Sequence, residues 1–216
     1  MNHWNKIYTE KKHLSEWPWS EVISLTNKFC KKSLDKKKHK MLELGFGAGA
    51  NIPFFLTKNI EYYGIEGSEN IFNRVKKKYN NIEKNLLRGD FKKNYFPNIN
   101  FDLIIDRASI THNNKKDIIK ILKIVKKKLK KNGYFIGIDW YSKASSDYVQ
   151  NSFGDYLFFK KGIFKNIGGV YFSNKGDILK FFKDFKVHYL SEKKIDIYHN
   201  NKNQIISSWS IVVKKI

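Results

Sequence analysis

The chain has 216 residues and a formal net charge of +22, with 42 Lys and Arg residues against 20 Asp and Glu residues. A hydrophobic content of 41% indicates one globular domain with a substantial core, and no apolar run is long enough to span a membrane. The single cysteine, Cys30, excludes an internal disulfide and a cysteine metal cluster, and the first residues lack a signal-peptide core, so we expect a cytoplasmic protein.

The positive charge does not by itself indicate nucleic-acid binding. Lysine supplies almost all of it, since arginine occurs only at positions 74, 88 and 107. Proteins that read nucleic acids use arginine for bidentate contacts with bases, whereas Lys, Asn and Ile rise together in AT-rich genomes. We therefore expect no specific nucleic-acid partner, and we expect the charge to steer anionic small molecules towards the site.

The first predicted unit is an N-terminal arm and helix over residues 1–38. Within residues 14–32, Ser20 is the predicted N-cap of a helix whose apolar residues recur at helical spacing. Aromatic side chains crowd the stretch before this helix: Trp4, Tyr8, Trp17 and Trp19. They predict either a cover for the edge of the core or an arm that closes over a bound ligand and walls its pocket.

The most informative segment is 39–51, HKMLELGFGAGAN, which predicts a buried strand, a glycine turn and the start of a helix. Glycines at positions 45, 47 and 49 let the backbone turn sharply and approach a ligand closely. The next helix is predicted over residues 52–58, with Pro53 in its first turn. The free N–H groups at its start can meet a polar or anionic ligand group.

Further predicted strands end in residues that would meet at one edge of a sheet. Residues 61–67 form a strand that ends with Glu66, an acid about 20 positions after the first glycine, where it can accept hydrogen bonds from a ribose. The other strands are 85–88, followed by Gly89-Asp90-Phe91, then 101–106 and 134–140. Predicted helices over residues 68–80, with Ser68 as the N-cap, and over residues 115–131 lie between the strands.

This alternation predicts one α/β domain over residues 1–216 with a Rossmann-like, doubly wound, mostly parallel sheet. Two apolar segments, 186–197 and 204–216, predict an antiparallel C-terminal hairpin strand at the end of that sheet. Residues 141–173 break the pattern, because they are rich in glycine and aromatic residues but have no clean period. An insertion there would lie over the ligand edge of the sheet, which predicts a substrate lid or else a small hairpin that only packs.

With these motifs in this order, residues 39–140 resemble a class I S-adenosylmethionine (SAM)-dependent methyltransferase. In that family the acid and glycines of the first turn wrap the methionine part of SAM, the second strand ends in a ribose-binding acid, and the acid after the third strand contacts adenine. The residue that ends the fourth strand faces the methyl group. The resemblance therefore implies a cofactor site formed by Glu43, Gly45, Gly47, Gly49, Asn51, Glu66, Gly67, Asp90, Phe91 and Asp106.

A dinucleotide site is the alternative, because Gly45-Phe46-Gly47-Ala48-Gly49-Ala50 also fits the pattern G-x-G-x-x-A. Glu43 would repel a pyrophosphate at this position, but it suits the ammonium and sulfonium end of SAM. The antiparallel finish predicted for the sheet also resembles the methyltransferase fold. Both features favour SAM as the cofactor.

The segment after the fourth strand, residues 106–113, would lie beneath the methyl group of SAM. His112 is the predicted general base for a hydroxyl acceptor, with Asp106 and Asp139 as further catalytic candidates. The residues predicted to line the acceptor pocket are Arg107, His112, Trp140, Tyr141 and Trp19.

Two other kinds of methyltransferase are less compatible with the sequence. Metal-dependent O-methyltransferases would use Asp106 and Asp139 as ligands, but the Asn that follows the second Asp in that pattern is Trp140 here, so we expect no metal. Enzymes that methylate the amino groups of nucleic-acid bases commonly carry N/D-P-P-Y/F after the fourth strand. The residues here are Asp106-Arg107-Ala108-Ser109, which argues against base methylation.

Three segments bear on the acceptor: WPWSE near the start, DRASITHN after the fourth strand, and the aromatic insertion. Together they resemble small bacterial methyltransferases of sugar, capsule or surface-polysaccharide modification. The resemblance implies methyl transfer to a hydroxyl of a polar or anionic small molecule, such as a sugar or a nucleotide- or phosphate-linked sugar precursor. The alternatives are N-methylation of a small amine, a non-catalytic cofactor-binding subunit and, more remotely, RNA methylation.

Overall fold

The structure is a computed structural model that describes residues 2–10, 14–31, 39–58, 60–93, 95–149, 153–199 and 202–216. Parts of the predicted arm, insertion and terminal turn lie outside the described residues. The strands are β1 (Lys40–Leu44), β2 (Glu61–Glu66), β3 (Leu86–Arg88), β4 (Phe101–Arg107), β5 (Leu129–Tyr141), β6 (Tyr156–Phe158), β7 (Gly169–Tyr171), β8 (Lys186–His199) and β9 (Lys202–Lys214). All but β6 and β7, which pair with each other, form one sheet in the order β3-β2-β1-β4-β5-β9-β8.

The large sheet is mostly parallel. β1 pairs in parallel with β2 and β4, and the parallel pairing continues outwards to β3 and β5. β9 runs antiparallel to both of its neighbours, β5 and β8. The predicted Rossmann-like fold, with an antiparallel strand from the C-terminal hairpin, is therefore confirmed.

Helices connect most of the strands. They are α1 (Asn2–Thr9), α2 (Ser20–Leu25), α3 (Ile52–Leu56), α4 (Glu69–Lys78), α5 (Lys115–Lys128), α6 (Ser146–Val149) and α7 (Lys175–Phe181). A π-turn, Thr26–Cys30, continues α2, and 3-10 turns occupy Asn80–Asn85 and Ile110–His112. Strand and helix alternate through β5 as the sequence pattern predicts, except that β3 and β4 are joined by described residues that form no helix.

The two predicted serine caps have different roles in the structure. Ser20 is the first residue of α2, and Trp19 occupies the N-cap position. Ser68 is the N-cap of α4, but its side chain makes no capping bond. Its Oγ instead donates to Asn5 Oδ1 at 2.6 Å, so this serine ties α1 to the start of α4.

Apolar side chains cover both faces of the sheet. α5 and α7 pack on one face, where Ile118 and Phe182 join buried residues of β4 and β5. α2, α3 and α4 pack on the other face, around Val22, Phe55 and Val75. Fully burying a side chain of this size contributes roughly 1.5–3 kcal/mol to folding. With both faces covered, the carboxyl edge of the sheet is left as the place for a ligand.

α5 is shorter and β5 is longer than predicted. The helix ends at Lys128, and β5 already begins at Leu129, which is buried and pairs with Phe101 of β4. Lys130, predicted to be helical, is in the strand, and its Nζ lies 2.7 Å from Asp102. Pairing with β4 is a tertiary interaction, and it outweighs the helical pattern of the lysines.

Candidate active site

A cleft of about 800 Å³ lies at the carboxyl ends of the parallel strands. The predicted site residues that line it are Glu43, Gly45, Gly47, Asn51, Glu66, Gly67, Asp90, Phe91, Arg107, His112, Tyr141 and Trp19. Gly49, Asp106, Asp139 and Trp140 are not among its lining residues. One cavity therefore brings most of the predicted cofactor residues together with the predicted base.

The glycine turn is tightly constrained. Gly45, Gly47 and Gly49 all have positive φ, at +70°, +53° and +77°. A Cβ on Gly45 would lie 2.2 Å from Ser109 Oγ, so the turn packs directly against the loop after β4. A Cβ on Gly49 would meet Ile52, Val75 and Tyr79, so this glycine lets the turn pack closely on its neighbouring helices.

Glu43 lines the bottom of the cleft and is almost fully buried. Its carboxylate accepts hydrogen bonds from Asn51 Nδ2 at 2.7 Å and from the Tyr62 hydroxyl at 2.6 Å. Burial raises the pKa of Glu43 to about 7, although these two hydrogen bonds and the charge of Arg107 act in the opposite direction. The sequence did not predict the role of Tyr62, whose position on the neighbouring strand was the available signal. A cationic group that reached Glu43 would favour its ionised form.

Asn51 also bonds to the N-terminal segment. Its Oδ1 accepts a hydrogen bond from the Trp19 N–H at 3.1 Å, while its Nδ2 donates to Glu43. The backbone before α2 is therefore attached to the floor of the cleft through one amide side chain.

Glu66 lies at the end of β2 and bridges two backbone groups. One carboxylate oxygen accepts from the Gly47 N–H at 2.9 Å, and the other accepts from the Ser68 N–H at 2.8 Å. Burial raises the pKa of Glu66, and these backbone hydrogen bonds oppose that shift. A carboxylate fixed at both oxygens is oriented to accept from a pair of adjacent hydroxyls, as a ribose presents them.

Asp90 and Phe91 follow β3 and line the same cleft. Asp90 Oδ1 accepts from the Lys92 N–H at 2.9 Å, which closes a tight turn around the carboxylate. Lys92 Nζ lies 3.3 Å from Asp117 and 3.7 Å from Asp90, so this cation is shared between two acids. The ring of Phe91 provides an apolar surface beside the acid.

Asp106 and Trp140 do not face the cleft as predicted. Asp106 is fully buried, and its carboxylate accepts from the backbone of Ser109 and Ile110 and from Trp140 Nε1 at 2.8 Å. Burial raises the pKa of Asp106 to about 7. Trp140 is itself fully buried and packs on Phe182. The two residues therefore fix the loop after β4 from behind the wall of the cleft.

Asp139 is also turned away from the cleft. It has a positive φ of 56°, and the register between β5 and β9 shifts at this point. Its carboxylate lies 2.8 Å from Arg107 Nη2, and its Oδ1 accepts from Ser208 Oγ. This position does not support the predicted catalytic role of Asp139. Its carboxylate is paired with Arg107, which lines the cleft, and Asp139 itself does not line it.

His112 occupies a 3-10 turn and points its ring into the cleft wall. Its Nδ1 lies 3.0 Å from the carbonyl oxygen of Gly169, in β7. A carbonyl only accepts, so this contact assigns the proton to Nδ1 and the lone pair to Nε2. The ring meets Trp4 edge-on, with centroids 4.9 Å apart, and Tyr141 lies 6.3 Å away. This tautomer is the one that a general base acting through Nε2 requires.

Two segments cover the cleft above His112. Trp4 and Tyr8 of α1 line it on one side, and Tyr156, Phe158 and Ile167 of the insertion line it on the other. The Tyr156 hydroxyl donates to the His112 carbonyl at 3.3 Å, so the insertion contacts this residue twice. The nine aromatic residues of the insertion were the sequence signal for this wall, although the sequence did not show which of them line the cleft.

The residues that the structure describes show neither a metal cluster nor a membrane-spanning helix. There, no group of three or more His, Cys, Asp and Glu side chains is placed to hold a metal ion. Within the same residues, no helix has the length and apolar character needed to cross a membrane.

Comparison with known proteins identifies the central part of the chain. Residues 41–133 match the model of a family described as a methyltransferase domain. No curated protein matches the chain at a significant level.

Solved structures share the fold at low sequence identity. A SAM-dependent methyltransferase from Methanosarcina mazei is 12% identical, with a TM-score of 0.68 over 86% of this chain and 96% of its own. TehB from Haemophilus influenzae is 18% identical, with a TM-score of 0.64 over 98% of this chain and 67% of its own. Magnesium protoporphyrin IX methyltransferase from Synechocystis, solved with bound S-adenosylhomocysteine, is 14% identical, with a TM-score of 0.61 over 91% and 81%.

Proposed function

We propose that this chain is a class I SAM-dependent methyltransferase that methylates a hydroxyl of a small polar acceptor, a proposal supported by the family match over residues 41–133 and by the fold. The observation that carries the proposal is the single cleft, which joins the acids Glu43, Glu66 and Asp90 to His112. Acids at these positions suit the amino, ribose and adenine groups of SAM. The histidine at the other end suits an acceptor that must lose a proton.

The residues present fit SAM chemically. Glu43 is a buried acid whose ionised form would be stabilised by the ammonium of the cofactor. Glu66 has both oxygens oriented by backbone N–H groups, and the glycine turn leaves space where a Cβ would collide. When bound, SAM supplies a methyl group that is already activated by its sulfonium. The protein then needs to align the acceptor, exclude water and accept a proton.

His112 is the proposed base. With its Nδ1 proton donated to the Gly169 carbonyl, Nε2 can take the proton of an acceptor hydroxyl during attack. Trp4 and Tyr141 flank the imidazole and exclude water from it. Arg107 and Trp19 line the same cleft and complete the proposed acceptor wall, whereas Trp140 does not belong to it.

We propose a sugar derivative as the acceptor, in line with the resemblance to enzymes of sugar and surface-polysaccharide modification. The apolar C–H faces of a sugar ring pack well on aromatic side chains, and the cleft supplies Trp4, Tyr141 and Tyr156 for that purpose. Arg107, although paired with Asp139, offers N–H donors at the same wall. A nucleic-acid acceptor is not supported, because the cations that line the cleft, Lys92 and Arg107, are both paired with acids.

A small amine is the second candidate, because aromatic rings also attract ammonium groups. The amine would bind against the same aromatic side chains, but it would have to be neutral when its nitrogen attacks the methyl group. The two candidates differ in their need for a base. Loss of His112 should abolish O-methylation but should leave methylation of a neutral amine largely intact.

Incubation with isotopically labelled SAM tests the proposal. Free sugars, nucleotide sugars, phosphosugars and small amines would be supplied separately, and mass spectrometry would locate the methyl group. We expect an O-methyl product and no incorporation into DNA or RNA at physiological salt. Incorporation only into amines would replace the O-methyl proposal. Absence of SAM binding in calorimetry would overturn the enzymatic function as a whole.

A further inference from the structure

Exposed apolar side chains occur on the segments that rise around the mouth of the cleft. We call this set the rim patch: Trp17, Val149, Phe153, Phe158, Ile195 and Tyr198. Phe153 is 97% exposed, Trp17 is 80%, Tyr198 is 79% and Phe158 is 72%. Apolar surface in water costs free energy that burial would recover, so large rings this exposed indicate an interaction.

The first four members of the rim patch adjoin the cleft in space or in sequence. Phe158 lines the cleft itself, and Trp17 lies two residues before Trp19, which also lines it. Val149 ends α6, and Phe153 lies between α6 and β6, in the insertion that directly follows the carboxyl end of β5. Val149, Phe153 and Phe158 therefore belong to the insertion that covers the cleft, and Trp17 lies in the segment that leads to Trp19.

The other two members lie on a ribbon that extends beyond the sheet. β5 ends at Tyr141, and β8 and β9 stay paired with each other beyond that point, over residues 194–199 and 202–207. Residues 194–199 of β8, at about 3.3 Å each, carry the ribbon roughly 20 Å past the carboxyl end of β5. Ile195 and Tyr198 are exposed on this ribbon, so they project from the same edge of the sheet at which the cleft opens.

Among the exposed side chains of these segments, lysines outnumber acids. The exposed lysines are Lys160, Lys161, Lys165 and Lys194, counted over residues 14–19, 146–149, 153–166 and 194–198. Exposed acids on the same residues are Glu16 and Asp196. Asp155 is partly buried and held by Lys143 at 2.7 Å. The lysines are therefore in excess around the rim patch.

From this combination we propose that the rim patch docks on an anionic lipid bilayer, so that the cleft opens towards the headgroups. Aromatic and branched apolar side chains gain free energy at the boundary between headgroups and acyl chains, and anionic lipids attract nearby lysines. Nucleic acid would use the lysines, but it offers nothing comparable to the aliphatic Val149 and Ile195. If the proposed function holds, on which this step rests, the acceptor is an amphipathic hydroxyl compound carried by the membrane.

Sedimentation of the full chain with sucrose-loaded vesicles tests the docking without any acceptor. We expect binding to vesicles of phosphatidylglycerol and phosphatidylcholine and much weaker binding to phosphatidylcholine alone. The double variant Phe153→Ser/Tyr198→Ser should lose about tenfold or more in affinity, because two interfacial rings are removed. Lys160→Gln/Lys161→Gln should weaken binding and reduce its dependence on salt.

Matched control variants are available on the helices. Ile119 of α5 and Leu179 of α7 are exposed apolar residues on helices that pack against one face of the sheet. Ile119→Ser/Leu179→Ser removes apolar surface without touching the rim patch, so it should bind vesicles like the parent. Thermal unfolding of every variant, followed by circular dichroism, shows that it is folded, and calorimetry with SAM tests the proposed function separately.

Orientation is measured by fluorescence quenching with brominated lipids. Trp17 should approach the acyl chains, so quenching should be present in the parent and should fall in Trp17→Phe. The proposal is overturned if the parent does not bind anionic vesicles, or if the control pair loses as much affinity as the rim variants. Tight binding of single-stranded nucleic acid that depends on Phe153 and Tyr198 would assign the surface to that partner instead.

Discussion

Arg107 Nη2 lies 2.8 Å from Asp139 Oδ2, so the two charged side chains at the ends of β4 and β5 form an ion pair. The guanidinium of Arg107 also stacks on Trp19, 3.4 Å from the centroid of its ring. Lys193 Nζ approaches the other oxygen of Asp139 at 3.7 Å. Arg107 therefore meets the cleft as a planar group whose charge is largely balanced, and Asp139 is bound to cations that the chain itself provides.

This arrangement leads us to expect methyl transfer that does not depend on a divalent metal. Asp139 would have to leave Arg107 to become a ligand, and Asp106 would have to break its bond to Trp140. Activity after dialysis against EDTA should match activity in EDTA already saturated with Mg²⁺, which is the control. Loss of activity that added Mg²⁺ restores would contradict the expectation.

Binding of SAM should strengthen as the pH rises through neutrality. Burial raises the pKa of Glu43 to about 7, but the ammonium of SAM requires the carboxylate. Below pH 7 binding must therefore expel a proton, and affinity should fall by up to about tenfold for each further unit. Titration calorimetry in buffers of different ionisation enthalpy measures both the affinity and the proton release.

Two controls isolate Glu43 in that experiment. Adenosine lacks the amino acid part of SAM, so its affinity should change little between pH 6 and 8. Glu43→Gln should bind SAM weakly and almost independently of pH. A SAM affinity that does not vary with pH in the parent protein would rule out contact between the ammonium and Glu43.

Replacing Glu66 should weaken binding of the nucleoside half of SAM. Glu66→Ala removes a carboxylate that is placed to accept from two ribose hydroxyls, and we expect a loss of roughly 1.5–3 kcal/mol. The variant also leaves the Gly47 and Ser68 N–H groups without their carboxylate partner. Adenosine carries the same ribose as SAM, so its affinity should fall as well. Glu69→Ala is the matched control, because Glu69 is exposed and pairs with Arg88 outside the cleft.

His112→Ala should lower kcat by about 10²–10⁴ while SAM affinity stays nearly constant, because the base acts on the acceptor and not on the cofactor. His188→Ala is the control, since His188 is exposed on β8 and packs against Tyr134. Full activity of His112→Ala with a hydroxyl acceptor would refute the role of this histidine.

The insertion should control the base through Gly169. A Cβ at this position would lie 2.2 Å from the Tyr156 hydroxyl, so Gly169→Ala must displace the ring that bonds to the His112 carbonyl. The carbonyl that orients His112 would move with it, and kcat should drop about tenfold or more with unchanged SAM affinity. Gly176→Ala, in α7, should behave like the parent, and equal losses in both variants would show a general effect on stability.

Much of the cofactor half of the cleft followed from local sequence. An apolar strand, a glycine turn and a helix have a distinct pattern, and acids at the ends of parallel strands must meet at one edge. Glu43, Glu66 and Asp90 could be placed for that reason. Their hydrogen-bond partners could not, because Tyr62 reaches Glu43 across the sheet and depends on strand register.

The acceptor half was harder to predict because it depends on one irregular point. Asp139 adopts a positive φ where the β5 and β9 register shifts, and this turns Trp140 into the core. In a regular strand, the side chains of Asp139 and Trp140 would have continued to alternate between the two faces of the sheet up to the strand end. Gly169 and Tyr156 lie in a segment without periodicity, so only the folded insertion reveals that they contact His112.

Helix α1, which covers the cleft, affects how the cofactor is exchanged between turnovers. α1 has 8 residues, and a helix of this length is not stable in water without docking. Its polar attachments are Asn5 to Ser68 and Thr9 to Asn70, and Tyr8 is beside the glycine turn. Undocking of α1 and loss of its helical structure are therefore one event. Because Trp4 and Tyr8 of α1 line the cleft, we expect the release of S-adenosylhomocysteine and the entry of SAM to require this local unfolding. Amide hydrogen exchange in residues 2–9 would then report the same opening rate as release of the spent cofactor.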